Sequence, residues 1–186
     1  MPKIKYITYD EFINIDKNTN ELLEYIDGIL YNQVSPSKTH QIVALNIATE
    51  FNIFFKNKSC KPFIAPFDII LKNEKEEYPQ KVIPDISIIC DKSGLNDGNY
   101  TGVPTLIVEI LSPSNESHDL VTKMNLYQRF GVNEYCIVNP KIRIVSIYKI
   151  NDNGFYEQYG VYKNGEEFET ATFKELSINL SEIFEL

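Results

Sequence analysis

The sequence predicts an α/β fold in which a mixed β-sheet is flanked by α-helices. Three observations predict it: a hairpin signal within 22–31, a long amphipathic pattern over 35–57, and a strand–helix–strand series over 106–138. A strand, a helix and a second strand in this order favour a parallel pair joined by a right-handed crossover. Because the 186 residues contain no repeat, low-complexity tract or long linker, we expect a single domain over 1–186.

Composition narrows the classes of function. The sequence has 18 Lys and Arg against 26 Asp and Glu, a net charge of −8 at pH 7. This charge argues against a protein that coats nucleic acid without specificity, because such binding needs clustered Lys and Arg side chains. It allows an enzyme that holds a metal between its carboxylates and a phosphate. The sequence contains no apolar run of about 18 residues, so we expect no membrane span. The N-terminus lacks the apolar segment of a secretory signal.

The three cysteines, Cys60, Cys90 and Cys136, share no metal-ligand spacing. Cys90 and Cys136 stand in apolar, strand-like runs, where cysteine usually behaves as a small buried hydrophobic residue. We therefore expect free thiols in a reduced, cytoplasmic protein.

Local signals place the elements of the first half. A capping box at 8–11 predicts a short helix to about residue 14. Asp-Gly at 27–28, between two apolar runs, is a strong hairpin signal. Apolar residues at three- and four-residue steps over 35–57 predict an amphipathic helix, and 67–71 is a candidate strand.

The second half contains a nearly continuous apolar strand at 106–111, of the kind buried on both faces. A helix follows and stops at Gly131. The remaining elements predicted here are a strand at 83–90, a loop at 93–104, a helix at 119–130, strands at 134–138 and 142–150, and a tail at 155–186 with two edge strands and a short terminal helix.

Glu109 is unusual because it interrupts the apolar strand at 106–111. An isolated carboxylate buried in such a strand would be very costly. Glu109 either lies close enough to the strand end to reach water, pairs with an arginine, or has a functional partner.

Lys123 is the second unusual residue. At 100° per residue it falls on the apolar arc of the 119–130 helix, between Phe130 and Tyr127. A lysine there needs a partner or must extend its stem to water. Because this helix follows the strand that carries Glu109, we expect the two side chains to pair. A purely structural Lys–Glu ion pair would satisfy the same pattern.

Asp85 follows Pro84 at the start of a neighbouring candidate strand. With Glu109 and Lys123 it suggests two carboxylates on adjacent strands and a lysine from the next helix. Carboxylates about 5 Å apart repel by roughly 3 kcal/mol at an effective dielectric near 20. Mg²⁺ or Mn²⁺ would offset this repulsion, polarise a phosphodiester and lower the pKa of a bound water, while the lysine stabilises developing charge.

Several blocks of the chain form a recognisable pattern, at 24–28, 35–40, 84–88, 108–114, 123–127 and 131–140. Together they resemble the Uma-type restriction endonuclease family, and the Glu-x-Leu-Ser-Pro-Ser block at 109–114 is the most specific. The resemblance implies a restriction-endonuclease-like fold, a mixed β-sheet flanked by α-helices, within the PD-(D/E)xK nuclease superfamily.

Carried over residue by residue, the resemblance implies a metal held by Asp85 and Glu109, with Glu24 as a further acidic member of the site. The superfamily pattern has a lysine two residues after the second acid, where this sequence has Leu111. Lys123 is the candidate to replace it.

Four further residues are candidates near the site. His40, at the start of a helix, and Tyr127, one turn after Lys123, are candidate substrate contacts; a surface histidine and a core tyrosine are the alternatives. His118 is expected in a loop. Asp68 would lie beside the site if its strand pairs with the one bearing Asp85; a strand residue that faces solvent is the alternative.

The sequence thus predicts a Mg²⁺-dependent endodeoxyribonuclease, with Mn²⁺ as a substitute ion, DNA as substrate and a homodimer as one arrangement. Glu24, Asp85, Glu109 and Lys123 form its predicted catalytic set. One alternative is a non-catalytic binding or regulatory module on the same fold, with Glu109–Lys123 as a structural pair. Another is a nuclease that acts only in a complex, where a basic partner supplies substrate affinity.

Overall fold

Helices flank two mixed β-sheets in the computed structural model, which describes residues 5–113 and 116–185. The α-helices are α1 (Tyr9–Lys17), α2 (Lys38–Phe54), α3 (Met124–Phe130) and α4 (Leu180–Ile183). The strands are β1 (Leu23–Ile26), β2 (Ile29–Asn32), β3 (Lys61–Ile64), β4 (Asp68–Leu71), β5 (Gln80–Val82), β6 (Ile86–Ile89), β7 (Asn99–Thr101), β8 (Leu106–Ile110), β9 (Glu134–Asn139), β10 (Ile144–Ile150), β11 (Tyr156–Lys163), β12 (Glu167–Glu169) and β13 (Ser177–Asn179).

The larger sheet has the strand order β11-β10-β9-β8-β6-β3, and the smaller has the order β2-β1-β5-β4-β7. Strands β8 and β9 are parallel, as the strand–helix–strand pattern predicts, while β6 pairs with β8 in antiparallel orientation. The predicted mixed α/β architecture is confirmed, although its strands divide between two main sheets, and β12 and β13 form a separate hairpin.

Strand β8 lies between two hydrophobic clusters. Leu106, Val108 and Ile110 face the cluster that contains α2 and α4, whereas Ile107 and Leu111 face the one that contains α3. Because side chains alternate along a strand, Glu109 shares the α3 face with Ile107 and Leu111. The alternation therefore points Glu109 at the helix that follows its own strand.

The local signals in the first half are confirmed. Thr8 caps α1: its Oγ1 accepts from the Glu11 amide at 3.2 Å, and Glu11 Oε2 accepts from the Thr8 amide at 2.8 Å. Asp27 and Gly28 form the hairpin turn with φ of 49° and 82°, the left-handed conformation such a turn requires. Ser37 caps α2.

Other boundaries differ from expectation. Helix α1 continues to Lys17, beyond residue 14. The expected strand at 83–90 is shorter, since β6 begins at Ile86, and the expected loop at 93–104 contains β7, which pairs in parallel with β4. The tail has three strands where two were expected. Short strands that depend on a distant partner leave little pattern of their own.

The helix expected over 119–130 begins with a π-helical segment, His118–Lys123, and continues as α3 to the left-handed Gly131. A π-helical turn holds more residues than an α-helical turn, so the 100° step does not apply within it. Leu120, which a 100° step would place on the apolar arc of this helix, is accordingly 36% exposed.

The expectation of three free thiols is wrong for two of them, because Cys60 and Cys90 form a disulfide. Lys61 pairs with Ile89 across β3 and β6, and the same register brings the preceding and following cysteines together. Thirty residues separate them in sequence, so only the strand pairing reveals the bond. Cys136 is a buried free thiol, as expected. Within the described ranges, none of the helices has the length and apolar character to cross a membrane.

Candidate active site

Strands β6 and β8 place Asp85 opposite Glu109. Ile86 pairs with Val108 in this antiparallel register, so the next residue pair is Asp85 and Glu109. The Ile110 amide donates to Asp85 Oδ2 at 2.7 Å, which fixes the aspartate side chain against β8. Both carboxylates line a cavity of about 720 Å³.

The expected pairing of Glu109 with Lys123 is confirmed. Lys123 Nζ donates to Glu109 Oε1 at 2.9 Å, and the Tyr127 hydroxyl donates to the same oxygen at 2.8 Å. Lys123 is 2% exposed and also lines the cavity. Tyr127 is fully buried, so the structure places it behind Glu109 instead of on the cavity wall.

Glu24 joins the site through Lys123. Its Oε1 lies 3.0 Å from Lys123 Nζ and accepts from the Ile83 amide at 2.8 Å. Its Oε2 lies 3.4 Å from His118 Nε2. His118 is therefore not the loop residue expected: it belongs to the π-helical segment, and its ring packs against Tyr31 with centroids 4.2 Å apart.

Asp119 is a member of this cluster that the sequence analysis missed. It is 0% exposed, its Oδ1 lies 3.5 Å from Lys123 Nζ, and neither carboxylate oxygen has a hydrogen-bond partner within the described ranges. Its position four residues before Lys123 was the available signal, because residues at that spacing share a helix face.

One ammonium thus faces three buried carboxylates, and the pKa values reflect the imbalance. Burial alone would raise the pKa of Glu24, but the charge of Lys123, with the His118 and Ile83 hydrogen bonds, lowers it to about 2. Burial raises the pKa of Glu109 well above its usual range and that of Asp119 to about 6, and neighbouring carboxylates add to both increases. Burial opposes the charge of Lys123, but Glu109, Glu24 and Asp119 hold its pKa well above the usual range.

His40 is a second partner of the Asp85 side chain. It is buried near the start of α2, lines the cavity, and has its Nε2 3.1 Å from Asp85 Oδ2. Burial alone would lower its pKa, but the hydrogen bond and charge of Asp85 raise it. Its Nδ1 has no hydrogen-bond partner among the residues that the structure describes. The helix-start histidine is thus at the cavity, as the substrate-contact prediction requires.

The condition that would bring Asp68 to the site is not met. Strand β4 pairs with β5 and β7, in the other sheet from β6. Asp68 Oδ2 instead lies 2.9 Å from the buried Lys81 Nζ, which also binds Asp16 at 2.9 Å. This second lysine–carboxylate cluster lies away from the cavity and links α1 to the smaller sheet.

The carboxylates of Asp85 and Glu109 suit a hard divalent cation whose remaining ligands come from substrate and water. Among the residues that the structure describes, the hydrogen bonds of Asp85 use Oδ2 and those of Glu109 use Oε1, so the other oxygen of each is the one that could bind a cation. Within residues 5–113 and 116–185, no group of three or more His, Cys, Asp or Glu side chains is arranged to hold a metal. Mg²⁺ typically binds one or two carboxylates and takes its other ligands from water and substrate phosphate.

Leu111 has a buried apolar side chain, as its place in the α3-facing cluster requires. The ammonium group beside Glu109 therefore comes from Lys123 on the following helix, and not from the residue two positions later in the strand. Ser114, the last residue of the Glu-x-Leu-Ser-Pro-Ser block, lies outside the described residues.

Asp119→Asn is expected to raise the free energy of unfolding at pH 8 by about 1–3 kcal/mol, because the fold disfavours the charged carboxylate. A pKa raised from 3.8 to about 6 corresponds to about 3 kcal/mol against the ionised form. The penalty is absent well below pH 4, where the aspartate is protonated in folded and unfolded chains alike; it grows between about pH 4 and pH 6 and is complete once the pH is above 6. Urea unfolding at pH 4 and pH 8 measures the difference.

Asp16→Asn is the matched control, because Asp16 also faces a buried lysine, Lys81. Asp16 keeps good hydrogen bonds to that lysine, so its replacement should lower stability. A loss of stability at pH 8 in both variants would contradict the assignment of Asp119 as an uncompensated charge.

Comparisons with known proteins agree with this architecture. The sequence model of the Uma2 family, described as "Putative restriction endonuclease", matches residues 9–181. An uncharacterized protein of Synechocystis sp. is 27% identical over 146 residues, which are 78% of this chain and 75% of that protein. The crystal structure of "a putative nuclease belonging to DUF820" from Anabaena variabilis superposes with a TM-score of 0.75 at 19% identity, covering 96% of this chain and 97% of that one.

Proposed function

The chain belongs to the Uma2 family, whose sequence model is described as "Putative restriction endonuclease", and from that premise we propose that it hydrolyses DNA phosphodiester bonds with the help of Mg²⁺, for which Mn²⁺ can substitute. The observation that carries the proposal is the pair formed by Asp85 and Glu109. Asp85 directly precedes β6 and lies opposite Glu109 of the neighbouring β8; the two carboxylates share one cavity, and a lysine ammonium lies 2.9 Å from Glu109.

Asp85 and Glu109 would hold the cation through the oxygens that their hydrogen bonds leave available. The excess of carboxylates over ammonium in this buried cluster favours a bound cation, because like charges are costly at low dielectric. When bound, Mg²⁺ polarises the phosphodiester and lowers the pKa of a coordinated water.

Lys123 remains protonated at the pH of the reaction, since its pKa is held well above the usual range. Its ammonium would orient the attacking water and stabilise charge that develops on the phosphate. Glu24 anchors the ammonium at 3.0 Å and is itself held by the Ile83 amide. Lys123 would thus supply the ammonium group that the superfamily pattern places at position 111, where this sequence has Leu111.

His40 would position the Asp85 carboxylate. Its hydrogen bond to Oδ2, together with that of the Ile110 amide, orients the aspartate so that Oδ1 is the oxygen left for a ligand. The ring also lines the cavity and would contact the bound substrate.

Titration calorimetry with Mn²⁺ tests the proposal. We expect wild-type protein to bind and Asp85→Ala to bind at least roughly 100-fold more weakly, because changing even a group that only supports a metal ligand typically costs 10- to 100-fold. Asp68→Ala is the control, because Asp68 lies in the other sheet and its carboxylate binds Lys81 away from the cavity.

Because substrate phosphate can supply part of the coordination, the titration is repeated with a DNA duplex present. Mn²⁺ binding that is equal in wild type and Asp85→Ala under both conditions would overturn the assignment. Cleavage of labelled DNA with Mg²⁺, lost in Asp85→Ala and kept in Asp68→Ala, would establish the reaction.

A second candidate is a nuclease that works in a complex with a basic partner. The net charge of −8 favours it, because the chain alone offers little counter-charge to a DNA backbone. Wild-type protein that binds Mn²⁺ but cleaves only when a basic partner is added at low salt would support this candidate.

A further inference from the structure

The mouth of the cavity is apolar and exposed. Leu22, Val34, Leu45 and Ile64 all line it, although each leaves between 46% and 65% of its surface in solvent. They come from four different parts of the chain, near β1, after β2, in α2 and in β3. Exposed apolar side chains that converge on one concave site indicate a ligand with apolar surface.

The wall of the cavity offers little to a DNA backbone. Among the described residues that line it, only Lys123 and His40 can carry positive charge, and both already bind carboxylates inside. Duplex DNA presents phosphates and polar groove edges to a protein, and its affinity depends on Lys and Arg contacts. An apolar mouth without cations is poorly matched to that surface.

The same wall has neutral polar groups beside its apolar ones. The amides of Gln33 and Gln41 and the hydroxyls of Ser35 and Ser37 line the cavity from exposed positions. Such groups can form hydrogen bonds with base edges, while aliphatic side chains contact base faces. A base shows an apolar face only when it has left the helical stack.

The candidate catalytic groups also lie deep. Glu109 and Lys123 are each 2% exposed and are reached through this cavity. A volume of about 720 Å³ is within the range of pockets that enclose a small ligand, and it is far too small to admit a paired duplex. A single nucleotide has both the size and the chemistry of the cavity.

We propose that the cavity receives an unpaired nucleotide of the substrate. Its base packs against the apolar mouth formed by Leu22, Val34, Leu45 and Ile64, and its phosphodiester is directed to Asp85 and Glu109. The inference rests on the proposed function and specifies its substrate class: DNA that is single-stranded, or unpaired within a duplex, is preferred over fully paired DNA.

Two variants of α2 test the cavity. Leu45 is 65% exposed and lines it, whereas Ile53, on the same helix and 62% exposed, does not. Leu45→Asp and Ile53→Asp therefore make the same surface change, inside and outside the cavity mouth. Both should keep the melting temperature of wild type, because both side chains are largely in solvent.

Binding is measured by fluorescence anisotropy with Ca²⁺ in place of Mg²⁺, on a labelled single strand, the matching duplex and that duplex with one unpaired nucleotide. We expect the single strand to bind at least tenfold more tightly than the duplex. Leu45→Asp should weaken this binding at least tenfold, and Ile53→Asp less than twofold. The bulged duplex separates the two sources of an unpaired base, since tight binding to it shows that extrusion from a duplex suffices.

Binding of the paired duplex as tight as that of the single strand, or equal losses in Leu45→Asp and Ile53→Asp, would overturn the inference. Failure of the proposed function gives a different result. If Mn²⁺ binding and cleavage are absent while Leu45→Asp still releases the single strand, the cavity binds nucleotides without hydrolysing them. If Asp85-dependent cleavage favours paired DNA, the function stands and the substrate class is wrong.

Discussion

Lys123→Met is expected to lower the free energy of unfolding at pH 7 by about 3–5 kcal/mol, the cost of removing one partner from a buried ion pair. Methionine keeps most of the length of the stem but removes the ammonium that lies within 3.5 Å of Glu24, Glu109 and Asp119, the only one that the described part of the chain places there. The remaining carboxylates would then be buried without compensation. Urea unfolding followed by circular dichroism measures the loss.

The loss should shrink as the pH falls, because acid protonates the carboxylates that the variant leaves unpaired. Glu109 and Asp119 already have raised pKa values in the wild type, and the variant also removes the Lys123 charge that holds the pKa of Glu24 low, so all three carboxylates should take up protons more readily than in the wild type. Unfolding of Lys123→Met at pH 4 and pH 7 tests whether the loss shrinks in acid.

Lys81→Met is the matched control. Lys81 is also buried and binds two carboxylates, but Asp16 and Asp68 are partly exposed and remain hydrated when the ammonium is lost. Its loss should therefore be smaller than that of Lys123→Met and should leave Mn²⁺ binding unchanged. Equal losses in the two variants would show that the site cluster carries no excess charge.

Glu109→Gln is expected to abolish detectable Mg²⁺-dependent cleavage and to weaken Mn²⁺ binding by more than about 100-fold, because a metal ligand should matter more than the groups that support it. The amide oxygen still accepts from Tyr127 and Lys123, so the hydrogen bonds of the cluster can persist. Because burial raises the pKa of Glu109, neutralising it should change stability by less than about 1 kcal/mol. Titration calorimetry and urea unfolding measure the two quantities.

The alternative of a non-catalytic module with a structural Glu109–Lys123 pair predicts the reverse: a stability loss with Mn²⁺ binding unaffected. Glu134→Gln controls for the loss of a buried carboxylate. Glu134 lies on β9, accepts from the Ala171 and Thr172 amides, and does not line the cavity. It should lose stability and keep full Mn²⁺ affinity.

Much of the candidate site can be predicted from the positions at which a charged residue interrupts an apolar segment. Glu109 within the strand at 106–111 and Lys123 on an apolar helix face are each too costly to bury alone, so their pairing could be predicted from the sequence. The short distance along the chain between β8 and the helix after it limits where the two can meet. The capping box at Thr8 and the Asp-Gly turn were predictable for a similar reason, since both depend on neighbours within a few residues.

The sequence by itself thus determined the mixed α/β architecture, the parallel strand–helix–strand unit and the residues that carry unusual charge. Only the tertiary structure decided how distant segments meet: His40 against Asp85, Glu24 against Lys123, Cys60 with Cys90, and the full burial of Asp119. The physical reason is that strand register and helix packing fix these contacts across 30 to 99 residues, by burying apolar faces far from the residues concerned. A local pattern records which side chain needs a partner, while the packing of the whole chain selects that partner.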